Sequence, residues 1–173
     1  DLYPRSKRAA GEVVLEVNGL CGLAKPRAAS LQLRRGEILG ISGLVGAGRT
    51  ELVRAIFGLD RVTAGTIRVG LHEGHVPPGK RWTQRAGMVS EDRKSEGLAL
   101  NLSIADNLTL PRLQGLGPWR FVFPSRQRAA CEPWIARISI RCQGPAQRVG
   151  DLSGGNQQKI ALARLLHADV DVL

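Results

Sequence analysis

The chain has 173 residues, 43% of them apolar and 23% charged. That is the composition of a globular domain with a real core, which excludes a disordered tail or a stapled mini-protein. The formal net charge is +10, and arginine supplies most of the 25 basic residues, an excess that points to anionic partners such as a nucleotide, a nucleic acid or a membrane surface.

Residues 1–10 are polar and basic without periodicity and read as a linker or frayed terminus, with no charged-then-apolar leader. Val13 to Val17 reads as a strand, and Ser30 to Leu33 as a weaker one. Arg34 to Glu37 is a turn, and Glu37 to Ser42 is an apolar run expected to be a buried strand. The longest uncharged apolar run, Ile38 to Gly48, is about half the ~20 residues a membrane span needs. Thr50 to Phe57 carries apolar residues at helical spacing, and Gly58 should stop that helix.

Thr66 to Val69 reads as a strand, Gly70 to Lys80 as a loop, and Met88–Val89 as a short strand. Ser103, with Asp106 three residues later, marks a helix start. Ser125 to Ile140 is helix-like, and Pro133 should kink it or split it in two. Asn156 to Leu166 reads as a helix with Ile160, Leu162, Ala163 and Leu166 on one face, and Val170 to Leu173 begins a strand. Interleaved strands and helices argue for an α/β fold with a partly parallel sheet. Cys21, Cys131 and Cys142 are odd in number and lack metal-type spacing, so they read as free thiols in a reducing compartment. His72, His75 and His167 form no metal-type pattern either.

Two segments carry chemistry. Gly43 to Thr50, Gly-Leu-Val-Gly-Ala-Gly-Arg-Thr, sits between an expected strand and an expected helix, the context of a phosphate-binding loop. Glycines let successive amides face an anion, and the helix N-terminus adds about half a unit of positive charge. Thr50 offers a hydroxyl to Mg²⁺. The usual lysine is replaced by Arg49, which is planar and bulkier, so the two are not equivalent at a tight site. The alternative is a glycine-rich strand-to-helix turn without a ligand. Leu152-Ser153-Gly154-Gly155-Asn156 precedes the last helix. It can serve either as a plain N-cap through Ser153 or as a set of amides and one hydroxyl facing an external anion.

The pair together resembles ATP-binding-cassette (ABC) ATPases, with Arg49 and Ser153 104 residues apart. Residues 36–52, 89–98 and 152–159 are similar to the second, degenerate cassette of the ATP-binding subunits of bacterial simple-sugar importers of the ribose/galactose/xylose type, over most of the chain from about Gly11. The resemblance implies a P-loop NTPase fold in which residues 11–100 form an antiparallel β subdomain plus P-loop core and residues 101–150 a helical subdomain. Residues 151–173 then hold the signature motif, its helix and the start of the Walker B strand.

It further implies that Gly43, Gly46, Ala47, Gly48, Arg49 and Thr50 bind ATP and that Thr50 and Glu91 attend Mg²⁺. Glu91 stands where most cassettes have a glutamine, and Asn156 replaces a glutamine ending the signature. Ser153, Gly154, Gly155 and Asn156 would reach the γ-phosphate held by a partner cassette. A transmembrane permease and, indirectly, a sugar-binding protein would complete the assembly at the cytoplasmic face of the bacterial inner membrane.

Cys21, Gly22 and Leu23 offer no adenine-stacking ring where the family has one. The chain ends at Leu173, before the Walker B carboxylates, so it is expected to lack autonomous hydrolysis and to be either marginally stable or self-associating. The alternatives are a basic nucleic-acid-binding module, weakened by scattered arginines and only seven aromatic residues, and a non-transport ABC ATPase, for whose insertions the 104-residue spacing leaves no room.

Overall fold

The computed structural model describes residues 9–119 and 121–173, with Arg93 and Lys94 described in their backbone only. The expected terminal linker therefore lies mostly outside the described residues. The chain divides into two compact units: one runs to Ala86 and takes in Val172, and the other comprises Gly87–Asp171 with Leu173.

The first unit is built on an antiparallel sheet of β1 (Val13–Gly22), β2 (Ala29–Arg34), β3 (Val62–Val69) and β4 (His72–Glu73), ordered β2-β1-β3-β4. Leu15 pairs with Val69 and Val17 with Ile67, and all four side chains are buried. Period-two alternation turns Glu16 to the other face, between Gln32 and Arg68. Its carboxylate accepts from Gln32 Nε2 at 3.0 Å and from Arg68 Nε at 3.0 Å. These bonds, the one from Arg68 foremost, hold the Glu16 carboxyl below the usual carboxylate range.

Helix α1 (Arg49–Phe57) places Leu52 and Ala55 in the same apolar cluster as the sheet. Gly58 ends it as expected, at φ 89°, with its N–H on the Ala55 carbonyl at 3.1 Å. Arg54, in the last turn, grips Asp60 through Nε at 3.0 Å and Nη2 at 2.9 Å, fixing the entry into β3. Helix α2 (Pro78–Thr83) occupies part of the segment expected to be loop. Its Arg81 is buried, donating to the Ile56 carbonyl at 2.9 Å, the Gly74 carbonyl at 2.9 Å and Gln84 Oε1 at 2.7 Å. One guanidinium thus ties the end of α1 to the turn after β4. Trp82 meets Phe57 edge to face, with centroids 5.9 Å apart.

The expected buried strand over residues 37–42 is corrected. It is irregular chain without sheet partners, and Ile38 is 97% exposed. A continuous apolar run is what a strand flanked on both sides looks like, and among the described residues nothing pairs with it. Met88–Val89 is likewise not a strand. The parallel pairing found among the described residues is a single bridge between Ala86 and Val172, to which the expected strand at 170–173 reduces.

The second unit packs α3 (Ile104–Thr109), α4 (Pro124–Arg137) and α5 (Gly154–Ala168) around Ile104, Leu108, Cys131, Ile160 and Ala163. Ser103 caps α3 with a full capping box, its Oγ accepting from Asp106 N at 3.0 Å while Asp106 Oδ2 accepts from Ser103 N at 3.1 Å. Asn107 is buried, and its carboxamide satisfies both the N–H and C=O of Ala99 and the C=O of Ser103.

Helix α4 runs through Pro133 as one element, contrary to the expected split in two. Pro133 has no N–H for the Ala129 carbonyl, and both residues are exposed, so that acceptor need not be buried without a partner. In α5 the buried side chains are Gln157, Ile160, Ala161, Ala163 and Leu165. Leu162 and Leu166, expected on that face, are exposed.

Candidate functional site: two glycine-lined helix mouths

The first mouth opens α1. Gly46 (φ 76°) and Gly48 (φ 93°) take left-handed backbone, and Gly48 is the N-cap residue, its carbonyl accepting from Leu52 N at 2.9 Å. A hydrogen bond from Ala47 N to the Leu44 carbonyl, 3.0 Å, closes the loop on itself. No side chain caps α1, so its first amides are left for an external acceptor. Gly43, Gly46, Ala47, Arg49 and Thr50 are all exposed, while Gly48 is buried.

Arg49 lies over the loop: a Cβ placed on Gly43 would sit 3.8 Å from its Cδ. Neither the guanidinium nor the Thr50 hydroxyl has a hydrogen-bond partner among the described residues. Thr50 stands in the first turn of α1, and its oxygen is a hard donor that suits Mg²⁺.

A residue that sequence reasoning missed joins this mouth. Lys25, in the connection between β1 and β2, lays its stem across Gly48 and donates from Nζ to the Gly46 carbonyl. A Cβ on Gly48 would lie 2.9 Å from the Lys25 Cβ, so this glycine serves the approach of Lys25 as well as its own positive φ. Leu23, where a stacking ring would stand, is 75% exposed.

The second mouth opens α5, in the other unit. The segment 145–150 runs antiparallel to 100–105, with Ile104 N on the Gln147 carbonyl (2.9 Å) and Gly150 N on the Leu100 carbonyl (2.9 Å). A short 3₁₀ turn, Val149–Asp151, then delivers the chain to Ser153. The buried Gln157 anchors the approach, donating to the carbonyls of Val149 (3.2 Å) and Leu152 (3.1 Å).

Ser153 holds the N-cap position but makes no side-chain cap bond, so the plain N-cap alternative does not hold. Its hydroxyl instead accepts from Asn156 Nδ2 at 3.1 Å, and Asn156 Oδ1 accepts from Arg141 N at 3.0 Å. Ser153, Gly154 and Gly155 are exposed, and a Cβ added at Gly155 would meet nothing within 4 Å.

Glu91 belongs to this second unit and is exposed. Its neighbours form a local network without it: Asp92 Oδ2 accepts from Ser95 Oγ at 2.5 Å, and Glu96 Oε2 accepts from Ser90 Oγ at 3.0 Å. The first mouth thus gathers Gly43 to Thr50 with Lys25, and the second unit carries Glu91 and Ser153 to Asn156. No cluster of three metal-ligating side chains occurs among the described residues. Among the described residues no helix is long and apolar enough to cross a membrane.

The chain is 40% identical over 165 residues to the ribose import ATP-binding protein RbsA of Streptococcus agalactiae serotype III, covering 95% of this chain and 33% of that protein. It is 44% identical over 179 residues to ribose import ATP-binding protein RbsA 3 of Rubrobacter xylanophilus, covering 100% of this chain and 35% of that one. A putative ribose/galactose/methyl galactoside import ATP-binding protein of Rhizobium meliloti is 37% identical, with 99% and 35% covered. The chain therefore spans about a third of the length of these relatives.

Among solved structures, a dimeric ATP-binding cassette bound to ADP and phosphate superposes with a TM-score of 0.72 at 20% identity, over 90% of this chain and 70% of that one. A nucleotide-free ATP-binding cassette from an ABC transporter gives 0.71 at 16% identity, over 92% and 66%. These establish the cassette fold expected from the sequence. The ABC transporter family model matches residues 27–173 and takes in both mouths; the chain belongs to the ABC transporter family.

Proposed function

We propose that this chain is a nucleotide-binding part of a monosaccharide importer. In this reading Gly43 to Thr50 binds the phosphates of ATP, and Ser153 to Asn156 completes an ATP site held by a partner cassette. The observation that supports it most is at Ser153: it stands at a helix start, leaves the cap bond unmade, and keeps an exposed hydroxyl held by Asn156. A serine present only for its own helix would accept from that helix's amides, as Ser103 does.

The chemistry follows from charge. Phosphoryl transfer depends on positioning and on neutralising charge spread over the phosphate oxygens. At the first mouth, glycine-lined backbone, the N-terminus of α1 and the Arg49 guanidinium meet the polyphosphate. Mg²⁺ would be held at this mouth by the Thr50 hydroxyl and would offset phosphate charge. Arg49 supplies charge but not the compact point contact of a lysine, so this mouth binds more than it turns over. At the second mouth, the Ser153 hydroxyl and backbone amides donate to a terminal phosphate presented from outside the chain.

The monosaccharide class comes from the relatives, whose names specify ribose or ribose/galactose import. In the same reading residues 11–100 form the nucleotide-binding core, and residues 101–150 dock on a permease at the cytoplasmic side of the inner membrane. The exposed rings of Trp119 and Phe121, between α3 and α4, suit such a contact. A sugar-binding protein acts at one remove, through the permease.

The test is a titration of Mg-ATP into the chain, with Arg49→Lys and Arg49→Ala alongside. Saturable binding that tightens with lysine and weakens with alanine is expected. Equal affinity in all three places the nucleotide elsewhere.

A further inference from the structure

The first mouth receives a cation that its own motif does not encode. Lys25 enters from the connection between β1 and β2, and its stem crosses Gly48, with Cδ 3.3 Å from a Cβ position on that glycine. Its ammonium lies over the middle of the loop. It donates to the Gly46 carbonyl, and a Cβ on Gly46 would be 3.7 Å from Nζ. No carboxylate pairs with Lys25 among the described residues, and the side chain is exposed. One of its three N–H donors is engaged by a neutral acceptor, and two remain.

The arginine at position 49 leaves a specific need. Phosphate oxygens at the floor of a tight loop are served by a compact ammonium on a flexible stem, whereas a guanidinium is wider and planar. Arg49 folds over Gly43. Lys25 brings an ammonium to the same loop from a different part of the chain.

We propose that Lys25 is a phosphate ligand of the Gly43–Thr50 loop, its ammonium moving from the Gly46 carbonyl to the polyphosphate of a bound nucleotide. The Gly46 carbonyl is neutral, whereas a phosphate oxygen adds the attraction of opposite charges to the hydrogen bond, so the exchange is favourable. The short stretch that carries Lys25 can then serve as a strap across the loop, sensing whether phosphate is present. This inference rests on the loop being the nucleotide site proposed above.

The experiment titrates ATP into the full chain and its Lys25→Met and Lys25→Arg variants. Inorganic tripolyphosphate, which carries the phosphate chain without the nucleoside, is the competitor. Methionine keeps the stem that packs on Gly48 and removes the charge. Wild type is expected to bind ATP, Lys25→Met to bind it about tenfold more weakly, and Lys25→Arg to recover most of the loss. Tripolyphosphate should lose the same factor in Lys25→Met. ATP affinity within twofold of wild type in Lys25→Met, or tripolyphosphate competition left unchanged, overturns the role of Lys25 while leaving the nucleotide site standing. A wild type that does not bind ATP removes the site and the Lys25 proposal together.

Discussion

The carboxamide of Asn156 donates to the Ser153 hydroxyl at 3.1 Å and accepts from the Arg141 amide at 3.0 Å. Asn156 thereby links the start of α5 to the chain just beyond α4. It holds a serine that would otherwise turn inward to its own helix. Ser103 shows that alternative, with its hydroxyl in a closed capping box. The two serines stand at the same position of their helices, and their hydroxyls have different partners.

Substituting both serines therefore separates the roles. Ser103→Ala should lower unfolding stability by about 1 kcal/mol, the usual cost of a lost cap. Ser153→Ala should leave it within about 0.5 kcal/mol, because no cap bond is lost. Urea denaturation of both variants beside wild type checks this, and equal destabilisation would count against it.

Arg81 should be the most sensitive charged position in the first unit. Its three acceptors, Ile56 O, Gly74 O and Gln84 Oε1, come from separate segments, and methionine satisfies none of them. Arg81→Met should cost about 2–4 kcal/mol, since buried acceptors are left without donors. Thermal unfolding read at Trp82, whose ring meets Phe57 at the end of α1, reports on that corner.

His167 predicts a pH dependence. Its Nε2–H donates to the Arg112 carbonyl at 3.3 Å, and burial pushes its imidazole below the ordinary value of 6.5, with the Arg112 charge adding to the shift. The unfolded chain therefore takes up the proton first as pH falls. This contribution to stability is complete above pH 6.5, where both states are neutral, and is lost as pH drops from there through the folded-state value. Denaturation midpoints measured between pH 7.5 and 5 should fall more in wild type than in His167→Gln.

The thiols should fall into two classes. Cys131 is fully buried in the helical core, and burial pushes its thiol up to about 12. Cys21 and Cys142 are only half-buried. Titration with an aromatic disulfide at pH 8 should modify Cys21 and Cys142 and reach Cys131 only on unfolding. Three thiols reacting at one rate would show that the core around Ile160 is not packed as described.

What the sequence made legible was local. The Gly58 stop, the Ser103–Asp106 box and the two glycine mouths each fit within a few residues, so turn and capping chemistry reveals them. What it hid was tertiary. Lys25 lies more than twenty positions before Gly46, and only the fold of β1 onto β2 brings its ammonium to the loop. Arg81 reads as one more surface arginine until the Ile56 carbonyl, brought in from α1, joins Gly74 and Gln84 around it. The run 37–42 has the composition of a buried strand, yet burial depends on neighbouring strands that composition does not supply. In α5, Ile160 and Ala163 of the expected face are buried, but the buried stripe continues through Gln157 and Ala161 and leaves Leu162 and Leu166 exposed.

The most direct measurement is the ATPase rate of a partner cassette from the same importer, taken alone, with this chain, and with its Ser153→Arg variant. The account predicts that wild type raises the rate and that Ser153→Arg abolishes most of the increase, by about tenfold or more, as expected for a lost phosphate donor. The same rate in all three samples would contradict it.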